Sequence, residues 1–91
     1  MTLNDLGNSW REKRLQAITF EGYGQRVELA NKLSEMDQIE EKLIVEMRRQ
    51  GLTQEGAEFV LKEFQNRRGN ANLGAAVNNV MTQDNWNHLR Q

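Results

Sequence analysis

Between Gln25 and Gln50 the apolar residues Leu29, Leu33, Met36, Leu43 and Met47 recur at alternating spacings of four and three, with Glu40 filling the one gap. An α-helix brings positions at this period onto one face. Ile39 and Ile44 widen the stripe. The chain holds no proline, so nothing in its covalent structure interrupts the helix. A helix of this length dominates a chain of 91 residues, and no segment shows the strict alternation of a half-buried strand. The expectation is an all-α fold: a small helical bundle of three to five helices with one long central helix. Glu40 in the seam argues against a long homodimeric coiled coil. The helix then packs within its own domain, or kinks near Glu40 into two.

The flanking segments supply the other helices. Ser9 and Glu12 form a capping box, which starts a helix from about Trp10 to Phe20 with Trp10, Ala17, Ile18 and Phe20 as its apolar stripe. Residues 1–8 are then irregular and frayed. Gly22-Tyr23-Gly24 permits the chain to reverse. Arg48 and Arg49 suit the negative end of the long helix, and Gly51 supplies its C-terminal turn. Thr53 caps a third helix reaching Arg68, with Ala57, Val60, Leu61 and Phe64 as its stripe. Asn72 caps a fourth, striped by Leu73, Ala76, Val77, Val80 and Met81. A last short turn carries Trp86 and Leu89. All of this reads as a single domain over 1–91.

Composition removes most catalytic chemistry. The chain has no Cys and a single His, His88, so thiol nucleophiles, thiolate metal sites and most imidazole constellations are excluded. The expectation is no enzyme, no metal and no cofactor. Lys and Arg number 12 against 13 Asp and Glu, and a dedicated nucleic-acid binder of this size carries a basic excess instead. Neither a secretory leader nor an apolar run of membrane-spanning length stands in the sequence, which gives a cytoplasmic expectation and no membrane partner.

Ile44-x-x-Met47-x-x-Gln50-Gly51-Leu52, then Ala57 and Val60-Leu61, then Asn72-Leu73-x-x-Ala76-Val77-x-x-Val80-Met81 resembles a ubiquitin-associated (UBA-like) three-helix domain over residues 40–81. Gln50 and Leu52 stand where that family has Met and Phe, and the link before Asn72 is longer. The resemblance implies a compact three-helix core and a binding surface made of Gly51 and Leu52 with Val80 and Met81.

Large apolar residues in excess of the clean stripes, with catalytic equipment missing, point to a small adaptor or inhibitor that binds a larger protein sterically. Its expected anchors are Leu52, Phe59, Val80, Met81 and Trp86. From Glu28 to Glu46 six acids stand against two bases, so Glu35, Glu40 and Glu41 are expected to complement a basic partner. Two other classes remain open. A helix-turn-helix regulator would use Gln54, Glu55, Glu58 and Lys62 on bases, with Arg48, Arg49, Arg67 and Arg68 on phosphates. A self-assembling subunit would use the Leu29–Met47 stripe as an intermolecular seam, although a monomer is the expectation if the first helix folds back on it.

Overall fold

The computed structural model describes residues 2–91. Its elements in chain order are α1 (Leu3–Gly22), α2 (Arg26–Arg49), α3 (Gln54–Asn66), α4 (Leu73–Thr82) and a C-terminal 3-10 helix (Asp84–Leu89). The described residues contain no strand, only one isolated bridge between Leu52 and Arg90. The fold is an all-α bundle.

The first helix begins earlier than the Ser9–Glu12 box implied. Thr2 is the N-cap: its hydroxyl accepts from the Asp5 amide at 3.1 Å, and the Asp5 carboxylate accepts from the Thr2 amide at 3.2 Å. Leu3, Leu6, Gly7 and Trp10 then follow at i, i+3, i+4 and i+7, and all four are buried. Residues 2–8 are therefore ordered parts of the fold rather than a frayed end, and Met1 lies outside the described residues. Gly7 allows a close approach, since an added Cβ would meet the Leu73 side chain at 3.0 Å and the Phe64 ring at 3.4 Å and press both to give by a few tenths of an ångström.

The long helix runs uninterrupted through Glu40. Helices α1, α2 and α3 all end in the same way. The amide two residues past the cap reaches back to a carbonyl five residues earlier: Gln25 to Phe20 at 2.9 Å, Leu52 to Met47 at 3.1 Å, and Gly69 to Phe64 at 2.9 Å. This is the Schellman closure, which needs a left-handed residue just past the cap. Gly24 and Gly51 supply it at φ 68 and 116, and Arg68 adopts it at φ 57. Thr53 and Asn72 cap α3 and α4 through their side-chain oxygens.

Helices α1 and α2 form a long antiparallel hairpin, and α3, α4 and the 3-10 helix pack on one end of it. The core lies at that end. Leu3, Leu6 and Trp10 from α1 and Ile39, Leu43 and Met47 from α2 join Leu52, Ala57, Val60, Phe64, Leu73, Val77, Val80 and Leu89. Trp10 and Phe64 meet with ring centroids 5.1 Å apart. The core thus draws on the first ten residues as well as the 40–81 segment. The molecule measures 46 × 20 × 19 Å because the hairpin outruns the helices that cover it.

Candidate protein-binding surface

Of the five expected apolar anchors, two are core residues. Leu52 is completely buried and Val80 is 2% exposed. The cause is the C-terminal segment, which folds back over the α2–α3 loop. The Leu89 carbonyl accepts from the Thr53 amide at 2.9 Å and the Thr53 hydroxyl at 3.1 Å, and the Gln91 amide donates to the Gly51 carbonyl at 2.7 Å. One Arg90 guanidinium nitrogen donates to the carbonyls of Val80 and Gln83, each at 2.9 Å. Met81 packs beneath Gly51, where an added Cβ would lie 2.9 Å from its methyl group. The loop surface expected from the UBA-like resemblance is therefore occupied by the chain's own C-terminus.

Phe59 and Trp86 pack on each other, and Phe59 stays 36% exposed. Their rings stack with centroids 4.9 Å apart and planes tilted by 39°. They border a groove of about 510 Å³ between α3 and α4, floored by Val60 and Ala76 and rimmed by Glu63 and Arg67. The Phe59–Trp86 contact thus ties the C-terminal segment to α3.

Two acids of the acidic stretch, Glu35 and Glu46, are paired with cations. Glu35 accepts from Lys32 at 3.1 Å and from Lys13 at 3.4 Å, and these ammonium groups, Lys32 first, hold its carboxyl below the usual range. Glu46 is held at about 2 by hydrogen bonds from Arg49 and Gln50. Glu40 accepts from the Trp10 indole at 3.4 Å and from the Gln65 amide. Its burial pushes the carboxyl up, and Asp37 adds to that. The gap in the heptad stripe is thus the acceptor for a buried indole. Glu41 is exposed, and it carries no salt bridge among the described residues.

The residues of the helix-turn-helix alternative do not form one stripe. Arg48 donates to Gln54, and Arg49 pairs with Glu46. Arg67 and Arg68 stand at the far end of α3, about 18 Å away along a helix that carries Glu55, Glu58 and Glu63 between them. Lys62 is exposed. Among the described residues no cluster of His, Asp or Glu could hold a metal ion, and no helix is long and apolar enough to cross a membrane.

Five of the seven exposed large apolar residues among the described residues stand on the outer half of the hairpin. Between Arg11 and Gln38 only Ala17 is buried. Leu15, Ile18, Tyr23, Val27 and Leu33 are exposed, the last at 47%. Helical spacing sorts them. Gly7 and Arg11 face the α3–α4 side, since Gly7 packs on Phe64 and Leu73 and Arg11 donates to the Gly69 carbonyl at 2.6 Å. Arg14 and Ile18 continue that row at i+7 and i+11 from Gly7. On α2, Glu40 faces α3 through Gln65, and Leu33 lies two turns before it on the same row. Ile18 and Leu33 therefore line the same groove that α3 and the α3–α4 loop fill lower down. Leu29, half-buried, completes its α2 wall, and Met36 packs against the core where the open half begins. Arg14 lies in the α1 row itself, between Arg11 and Ile18, and Asp37 stands beside the α2 row. The sequence stripes put Ile18, Leu29, Leu33 and Met36 on core-facing positions; Met36 does pack against the core, and the structure leaves Ile18, Leu29 and Leu33 uncovered by it.

No protein-family model, curated protein or solved structure matches this chain.

Proposed function

We propose that this chain is a non-enzymatic protein-binding module whose apolar helix face is the open half of the α1–α2 groove. The observation that carries the reading is the single buried residue, Ala17, in the stretch from Arg11 to Gln38. A soluble helical hairpin ordinarily covers both halves of its seam. An uncovered apolar row of this kind marks a docking surface. A partner helix laid along Ile18, Leu29 and Leu33 would complete a bundle layer as α3 does at the other end. Burying each of these side chains contributes about 1–2 kcal/mol for the exposed part it gives up. The charges of this face, Arg14 on α1 and Asp37 on α2, set the direction in which that partner lies. Regulation by such a module is steric, through occupation of the partner's own helix face.

The test is photo-crosslinking in cells, with a benzophenone side chain at position 33 and, as a control, at position 58 on the exposed face of α3. The reading expects discrete adducts from position 33 and none from position 58. No adduct from 33, or the same adducts from both positions, overturns it.

A further inference from the structure

We propose that the occupant of the open groove is a second copy of this chain, its hairpin lying antiparallel across the first. This rests on the binding-module reading above and names its partner. Three features point to self-pairing.

The first is shape. The α3–α4 layer stands on one half of the groove face and leaves a step beside it, one helix layer deep and about three turns long, roughly 18 Å. The free half of a second hairpin is itself one layer thick and equally long. Turned antiparallel, it fills the step while its own step receives the first hairpin.

The second is register. The Lys13–Glu35 pair at 3.4 Å and the Trp10–Glu40 hydrogen bond at 3.4 Å set which residues of α1 and α2 lie level, and they place Ala17 and Ile18 beside Asn31 and Lys32. A two-fold axis crossing both helices at that level lays each helix antiparallel on its own equivalent. Ile18 then meets Ile18 of the second copy, and Leu33 meets Leu29 of the second copy. An isologous interface requires this self-complementarity.

The third is charge. The same axis sets Arg14 opposite Glu21 of the second copy, and Arg26 opposite Asp37 of the second copy. None of these four residues makes a salt bridge within its own chain among the described residues. The groove row is thus flanked at both ends by opposite charges that only a second hairpin in this orientation pairs. The contact is small, so pairing depends on concentration.

The experiment is analytical ultracentrifugation of the whole chain from about 10 µM to about 1 mM. The expected result is a monomer–dimer equilibrium that Leu33→Asp weakens at least ~10-fold with an unchanged helical melting curve, since Leu33 is half exposed in the monomer. Arg26→Asp and Asp37→Arg each weaken pairing, and the double variant recovers it; the recovery is a readout that a misfolded variant could not give. A monomer across the whole range overturns the proposal, as does a dimer indifferent to Leu33→Asp and to the charge exchange. A monomer whose position 33 crosslinks to a different protein removes the second copy and leaves the binding-module reading standing. A monomer with no adduct removes both.

Discussion

Replacing Gly56 with Ala tests how the C-terminus is held. In an open helix this change stabilises by up to about 1 kcal/mol, because Ala has the better helix propensity. At Gly56 the added Cβ would lie 2.1 Å from the Leu89 carbonyl oxygen and 3.0 Å from its carbon. These are backbone atoms, so the C-terminal segment must move by more than 1 Å to relieve the contact. That movement breaks the two hydrogen bonds Leu89 accepts from Thr53, about 1 kcal/mol each. It also uncovers part of Leu89, which is 3% exposed, for about another 1–2 kcal/mol. Against the propensity gain the net is a destabilisation of about 2 kcal/mol, or a fall in Tm of about 10 °C for a domain of this size. Urea unfolding gives the number, and hydrogen exchange locates the loss in residues 84–91 and the α2–α3 loop. Gly22→Ala is the control, because nothing lies within 4 Å of its added Cβ, and it should be neutral or slightly stabilising. If Gly56→Ala proves as stable as the parent chain, the reasoning that the C-terminus is packed on α3 is wrong.

Other substitutions probe other parts of the account. Leu43→Ala removes a fully buried side chain at the centre of the core and should cost about 2–5 kcal/mol in urea unfolding. Arg90→Ala removes the donor to the Val80 and Gln83 carbonyls, so exchange protection should fall in the 3-10 helix before it falls in α2. Glu40→Gln should change the pH dependence of stability. The folded-state pKa of Glu40 is raised, so the folded chain holds more protons between the unfolded and folded values, and stability from this group falls as pH rises through that window. The Gln variant should lose that slope, and relative to the parent it should gain stability at pH 7 compared with pH 4. Urea midpoints for both chains at both pH values check the sign. Glu46 works oppositely: its contribution is present above the unfolded value and is lost as pH falls toward about 2, so Glu46→Gln should narrow the parent's stability loss in acid.

Much of the helical plan could be read from local chemistry. Thr53 and Asn72 cap the helices they were expected to cap, and Gly51 closes α2, because caps and left-handed turns depend on residues within a few positions. The start of α1 was not legible by the same rule. Two capping boxes, Thr2-x-x-Asp5 and Ser9-x-x-Glu12, stand seven positions apart, and each is locally sound. The choice is made by Leu3, Leu6 and Gly7, which gain their value from Phe64 and Leu73 more than fifty residues away.

Two of the expected anchors, Leu52 and Val80, are core residues for a related reason. Whether Leu52 is an anchor or a core residue depends on a segment nearly forty positions later folding back to bridge it at Arg90. The stripe of α2 reads uniformly from Leu29 to Met47, yet it is buried at one end and open at the other. That asymmetry follows from relative lengths: helices of 13 and 10 residues cannot cover a hairpin built from helices of 20 and 24. The lengths are written in the sequence, but the end of the hairpin on which the short helices settle is decided by packing.

The central claim is that the open half of the hairpin is where this protein meets its partner, and that the partner is itself. Amide chemical shifts of the whole chain followed from dilute to millimolar concentration test it residue by residue. The account predicts concentration-dependent shifts on one face of the hairpin, centred on Ile18, Leu29 and Leu33 and reaching Arg14, Glu21, Arg26 and Asp37, with α3, α4 and the C-terminal 3-10 helix unchanged. Shifts centred instead on Phe59 and Trp86, or none at any concentration, would contradict it.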